Sequence, residues 1–294
     1  MPDLPLLSQT DVTIQNQATG QVDYLKYQGN MLTGSRLVDY GLGSGWRIVA
    51  NDMGTNGLPG LVAQNVNTGL VDFLNLDVNA NLVGSQTSNV AVPHIFGFAS
   101  DAGVLGSQLA NGQLDFLQFD QTTGMLTNSD LVTTPVPKAV SISAPGPGDD
   151  PGPAWALLGA GLGTGPFGDN VETQTADGSP DIIGFSGSLA AQTLAVDTSF
   201  LLSGTAGTPA FAEANPDIAI GFNLQDASGT PQGLQEIAQT STGQIESLYY
   251  DTGLSDPVAS NQGLLYASNL LGSFPGWNVV QGGLVNNTLV FPIA

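Results

Sequence analysis

The chain contains no cysteine. That absence removes disulfide scaffolding, thiolate catalysis and thiolate metal binding together. Basic residues are nearly as scarce: Lys26, Arg36, Arg47 and Lys138 are the four cations, set against 25 acids for a formal charge of −21. No Lys or Arg follows Lys138. Nucleic acids and anionic membranes are held by cations that displace counterions from phosphates, so this composition excludes both as partners. There is no apolar run of about 18 residues, hence no candidate membrane-spanning helix. No Gly-rich run is followed by Lys, so there is no phosphate-cradling P-loop. His94 is the single histidine and no nucleophile-elbow sequence accompanies it, which argues against a Ser-His-Asp hydrolase.

The shortage of charge, 10% of residues, does not signal disorder, because 41% hydrophobic residues suffice to build a core. Thirty-nine Gly and 18 Pro fit many short strands separated by tight turns. Helices are expected to be almost absent.

The turns belong to an internal repeat. TGQVDYL (19–25) recurs as TGLVDFL (68–74), NGQLDFL (111–117) and TGQIESL (242–248), with a weaker copy in AAQTLAVD (190–197). In each copy a short apolar strand comes first, as in DVTIQN from Asp11 or GLVAQN from Gly60. A turn ending in Thr-Gly or Asn-Gly follows, supplying the positive φ that hairpins need. The second strand alternates around Asp23, Asp72, Asp115 or Glu246. A third strand surrounds Arg36, and a fourth begins at GWRIVA from Gly45. Trp46, Trp155 and Trp277 all fall at that fourth position, where the other copies carry His94 and Asp217.

Four strands in each of five units predict an all-β, five-bladed β-propeller. A β-sandwich or another repeated β architecture such as a solenoid satisfies the same spacing. The expected blades are 11–51, 59–99, 103–160, 178–222 and 232–282 within a single domain spanning 1–294. Residues 133–152 and 161–178 read as irregular insertions. Residues 287–294 read as an extra strand that either closes the ring or is donated to a neighbour by β-augmentation.

The order strand, QN, TG, V-D-aromatic-L, strand, GWxIV resembles the FG-GAP or VCBS-type repeats of bacterial exported propellers. The resemblance covers most of the chain and is strongest over residues 11–120. It implies Asp-rich calcium loops between repeats. Here the loop from Asp52 to Gly60 keeps the first Asp and the turn Gly, and the loop 173–181 keeps Asp177, Gly178 and Asp181. A calcium site needs about six to eight oxygen ligands, so these eroded copies imply weak or absent calcium binding, with Asp177 and Asp181 the best remaining ligands and no other cofactor expected.

The repeated acids and tryptophans have structural readings that outweigh functional ones. Each acid follows an apolar residue in a strand and is suited to accept hydrogen bonds from turn or backbone N–H groups, and each Trp is suited to packing between blades. The cations Lys26, Arg36 and Arg47 fall together in the first unit, where an acidic neighbour would find them. The composition and repeat point to an extracellular structural or interaction module whose partners are other protein subunits or extracellular glycans. A carbohydrate-binding lectin-like propeller and a glycoside hydrolase are the alternatives; no carboxylate pair is singled out for the latter. The acidic, Gly-rich, Cys-free chain ending in VFPIA is expected to leave a bacterial cell by type I secretion, without a cleaved N-terminal signal.

Overall fold

The computed structural model describes residues 9–53, 59–92, 95–99, 104–109, 113–132, 156–162, 169–174, 180–186, 191–193, 195–203, 217–225, 231–239, 242–251 and 262–280. Among them there are twenty β-strands and no helix. The strands group as β1 (Gln9–Asn16), β2 (Val22–Gln28) and β3 (Met31–Val38); β4 (Trp46–Met53), β5 (Pro59–Asn65), β6 (Leu70–Leu76) and β7 (Leu82–Ala91); and β8 (Ile95–Ala99), β9 (Val104–Gln108), β10 (Leu114–Asp120) and β11 (Met125–Val132). Then come β12 (Ala156–Leu162), β13 (Asp169–Gln174), β14 (Pro180–Ser186) and β15 (Ala195–Ser203), followed by β16 (Asp217–Gln225), β17 (Pro231–Gln239), β18 (Gln244–Asp251), β19 (Gln262–Ser273) and β20 (Trp277–Val279).

Strand pairing sorts these into antiparallel meanders of four. β4 to β7 form one sheet and β8 to β11 another. β12 to β15 and β16 to β19 form two more, joined into one eight-stranded sheet by a short parallel seam between β15 and β19. The remaining sheet has the order β20-β1-β2-β3, so it is built from both ends of the described chain. The leading strands neighbour one another in order: β4 beside β8, β8 beside β12, β12 beside β16, and β16 beside β20. This is the all-β propeller that the repeat predicts. We number the blades by the meander that starts the chain, so blade 1 holds β1 to β3 with β20, and blade 5 holds β16 to β19.

The structure corrects the expected unit boundaries by one strand. The GWRIVA strand was expected to finish the first unit, 11–51, but β4 hydrogen-bonds to β5 and opens the next blade. The same shift applies to the units 59–99, 103–160 and 232–282, whereas 178–222 begins two strands late, at β14, and runs one strand over, into β16. The reason is physical: the outer strand is the last of its meander, and the chain crosses from it to the inner edge of the next blade, as from β3 to β4 and from β7 to β8. Two further corrections follow. Residues 161–178 are not a wholly irregular excursion, because β13 lies there and pairs with β12 and β14. Ring closure falls to β20 at 277–279, which pairs with β1 in the register Ile14↔Val279, Gln15↔Asn278, Asn16↔Trp277. Residues 133–152 and 287–294 lie outside the described residues.

Blade 1 is apolar on both faces because it is sandwiched between blades 2 and 5. In β2, Val22 and Tyr24 join a buried cluster with Ile48, Leu61, Leu74 and Leu76 of blade 2. Leu25 and Tyr27, on the opposite face, pack with Ile237, Ile245 and Leu271 of blade 5. Blades 2 and 3 meet through Val71, Phe73, Leu105, Leu117 and Phe119, the two phenyl rings lying 5.5 Å apart at a 50° tilt. Burying such side chains stabilises by roughly 1.5–3 kcal/mol each, so these clusters are the main cohesive force between blades.

Candidate functional site

The repeat-matched polar residues gather at the blade junctions, and their geometry there decides what they can do. The first is a glutamine at the end of the second strand of each blade: Gln15, Gln64, Gln108, Gln174 and Gln239. Gln15 is buried and reaches from β1 into blade 2. Its amide nitrogen donates to the Trp46 carbonyl at 3.0 Å, and its amide oxygen accepts from the Ile48 N–H at 2.8 Å. Gln239 does the same one junction away, donating to the Trp277 carbonyl at 2.6 Å and accepting from the Val279 N–H at 2.9 Å. Gln64 donates to the Val92 carbonyl at 2.7 Å. A primary amide carries a donor and an acceptor side by side, so it can imitate one step of a β-ladder where no strand can reach. We call this the glutamine clasp.

Beside the Gln15 and Gln64 clasps lies a turn encoded by Asn and Thr-Gly. The Asn16 carboxamide oxygen accepts from Ala18 and Thr19 N–H, and Asn65 repeats the pattern with Asn67 and Thr68. Thr19 and Thr68 hydroxyls accept from the N–H of Gln21 and Leu70. Gly20 then takes φ +78°, and a Cβ there would come within 2.6 Å of the Gly43 carbonyl oxygen. Glycine is therefore required twice over, by backbone angle and by the closeness of the strand connection.

The repeated acids accept from hydroxyls on the adjacent outer strand, not from turn or backbone N–H groups as the sequence suggested. The Ser35 hydroxyl donates to both Asp23 oxygens at 2.8 and 3.0 Å, Thr87 to Asp72 at 3.3 Å and Ser129 to Asp115 at 2.9 Å. Burial raises the carboxyls of Asp72 and Asp115 above the usual range, and the hydroxyl donors partly offset that rise. Glu246 occupies the same position in β18, half-buried. The fifth copy of the acid is Asp181 in β14: it follows Pro180 as Asp23 follows Val22, and it pairs with Thr173 and Leu201. AAQTLAVD is therefore not that copy: it lies after β14, across the β14–β15 connection and the start of β15. Asp181 thus sits inside a strand, while Asp177 lies outside the described residues. Each acid belongs to a different blade, and among the described residues no three His, Cys, Asp or Glu side chains gather as metal ligands would.

A third kind of contact runs backwards around the ring. The Tyr24 and Tyr40 hydroxyls of blade 1 are 2.8 Å apart, and Tyr40 donates to the Ala80 carbonyl in the β6–β7 turn of blade 2 at 2.9 Å. Burial raises the pKa of both phenols, Tyr40 to about 12. Arg36 also reaches that turn, donating to the Asn81 side chain at 3.2 Å. The three cations are divided between two adjacent blades: Lys26 and Arg36 stand on β2 and β3 of blade 1, and Arg47 stands on β4 of blade 2. Trp46 and Trp277 open β4 and β20 and pack against the clusters at the first and last junctions. Trp155 and His94 lie outside the described residues.

With that geometry in place, the comparisons with known proteins concern the fold alone. No protein-family model and no curated protein matches the chain. Solved structures similar to it include the Dos1 propeller, at 12% identity and a TM-score of 0.34, covering 89% of this chain and 65% of that one. The Myceliophteria thermophila Cps50 (Swd1) β-propeller domain is similar at 12% identity and TM-score 0.40, covering 89% and 72%. The Vanderwaltozyma polyspora Nup133 β-propeller domain is similar at 10% identity and TM-score 0.36, covering 90% and 74%.

The clasp is what sequence reasoning missed. Its signal was present, because a Gln closes the second strand in all five blades. In the sequence it is visible as part of the QN motif, which by itself names no partner.

Proposed function

We propose that this chain is a non-enzymatic β-propeller that acts outside the cell as an interaction and assembly module. The observation that carries this reading is where the repeated polar groups are spent. Gln15, Gln64 and Gln239, Asn16 and Asn65, and Asp23, Asp72 and Asp115 all direct their hydrogen bonds to neighbouring strands, turns or blades. Residues matched between repeats here maintain the repeat. What the fold offers outward is instead its outer strands, where Met31, Leu32, Leu37, Leu82, Val83, Met125 and Leu131 are exposed. Exposed apolar residues along strand edges favour protein contacts. The resemblance to FG-GAP or VCBS-type exported propellers and the charge of −21 support an extracellular setting, where such a charge keeps unassembled copies soluble.

The test is light scattering of the full chain across rising protein concentration and ionic strength, paired with a hydrolysis screen on polysaccharides. Association that strengthens as salt screens the negative charge supports the module. A strictly monomeric protein that releases sugar from any polysaccharide overturns it.

A further inference from the structure

The junction between blade 5 and blade 1 differs from the other described junctions in four respects. Its closing strand β20 is three residues long, whereas β4, β8, β12 and β16 span eight, five, seven and nine. It meets β1 only over Ile14 to Asn16, flanked by the Val280 N–H to Thr13 carbonyl bond and the Gln17 N–H to Gly276 carbonyl bond.

Among the described residues the junction also shows no backward turn contact of the kind that ties other blades together. The β6–β7 turn holds blade 1 through Tyr40 and Ala80, and the Gly124 carbonyl in the β10–β11 turn accepts from Asn89 of blade 2 at 2.9 Å. Gln192, between β14 and β15, donates to the Ser129 carbonyl of blade 3 at 2.8 Å. In blade 1 the corresponding turn is cut to Gly29 and Asn30. Among the described residues these two make no bond to blade 5. The apolar contact at this junction buries Tyr27 completely, yet its hydroxyl has no hydrogen-bond partner among the described residues.

β20 is held more firmly to blade 5 than its pairing with blade 1 suggests. The Gln239 clasp bonds it at Trp277 and Val279, and the Phe274 N–H donates to the Gly243 carbonyl at 2.7 Å just before it. If the ring opens here, β20 leaves with blade 5 as a formed donor strand. The inner edge of β1 is left as its acceptor.

The geometry points to the β1–β20 seam as an assembly joint: β20 and the blade 5 face of one copy dock on β1 and the blade 1 face of a second copy. This rests on the proposed assembly role and names its surface. Every contact made within one chain at this seam is remade between two, so protein concentration decides between the closed ring and the exchanged form. The contact is head-to-tail. Two copies exchanging reciprocally close a dimer, and continued exchange makes a chain of propellers.

The cysteine-free sequence makes the test clean. Ile14 and Val279 are directly paired. Chains carrying Ile14→Cys alone, labelled with 15N, are refolded from urea at high concentration with unlabelled chains carrying Val279→Cys alone, then oxidised and digested. The expected result is a disulfide-linked peptide pair of one labelled and one unlabelled segment, growing several-fold as the refolding concentration rises tenfold. Neither chain can form that link within itself. Assembly seen by light scattering without the hybrid link overturns the seam but leaves the assembly role standing. A protein that stays monomeric throughout overturns both. Circular dichroism of each reduced variant checks folding. If Ile14→Cys fails to fold, the neighbouring pair Asn16→Cys and Trp277→Cys reports the same register.

Discussion

Gln15 donates its side-chain amide to the backbone carbonyl of Trp46, 31 residues later and in the next blade. The same amide accepts from Ile48, so one side chain satisfies two main-chain groups of β4. Buried backbone groups must find partners, and the splay between propeller blades leaves this part of β4 out of reach of its neighbour's backbone. Apolar clusters supply most of the cohesion between blades, but they are non-directional. The clasp sets the register of one blade against the next.

Gln15→Ala should therefore cost more than its size suggests, about 2 kcal/mol, because it strands a buried N–H and a part-buried carbonyl. Gln15→Glu keeps the acceptor for Ile48 but opposes a carboxylate to the Trp46 carbonyl, so it should be nearly as damaging at pH 7 and partly recovered on acidification. Urea unfolding at pH 7 and pH 4 reads both effects. Equal stability of all three proteins would show that the clasp contributes nothing.

Gly20 and Gly41 provide an internal comparison. Both have positive φ, +78° and +73°, but a Cβ on Gly20 strikes the Gly43 backbone while one on Gly41 meets nothing within 4 Å. Gly41→Ala should cost about 1 kcal/mol, the left-handed penalty alone. Gly20→Ala should cost at least twice that, since backbone must also move. Thermal melting of the two variants side by side tests the difference.

Asp115 has its folded pKa raised by burial, offset in part by Ser129 and reinforced by Asp130. An acid whose folded pKa lies above its unfolded value favours the fold while protonated and penalises it once ionised. Stability from this group is lost as pH rises from about 4 through the folded pKa. Asp115→Asn keeps an acceptor for Ser129 without the charge. Its melting temperature should exceed that of the parent at pH 7 and match it near pH 3. Asp77 is the control of opposite sign: hydrogen bonds from Asn81 lead the lowering of its pKa, so its contribution should fade as pH drops. A variant at Asp77 should lose stability at pH 7 and little at pH 2.

Among the described residues Tyr27 buries a hydroxyl without a partner, where the matching positions in blades 2 and 3 are Leu76 and Phe119. Tyr27→Phe should leave the fold intact and raise stability by about 1 kcal/mol, since the group removed is desolvated and unsatisfied. Burial also pushes the phenol up to about 12. Between pH 10, near the unfolded value, and pH 12 the parent should lose stability that Tyr27→Phe retains. Denaturant melts at pH 8 and pH 11 separate the two effects. A destabilised Tyr27→Phe would mean that the hydroxyl is bonded after all.

Local chemistry made much of this legible. Asn16 and Asn65, with the Thr-Gly pairs after them, encode turns through bonds within a few residues, and β2, β6, β10 and β18 follow from alternation around their acids. β13 escaped because its central DNVETQ segment carries a single large apolar residue and no Thr-Gly turn. Without β13 the repeat of blade 4 slips, its acid falls in a later segment and Asp181 reads as a candidate calcium ligand.

By itself, the sequence determined the strand-rich class, the repeat and its turns, because strand alternation and turn hydrogen bonds act over two to five residues. Only the tertiary structure decided which strand opens a blade, what Gln15 and Gln239 hold, and that β20 closes on β1. A cyclic repeat reads the same from any starting strand, so its phase is not written in the period. It is set where the two ends of the described chain pair, Gln15 opposite Asn278, which is a contact between residues 263 positions apart.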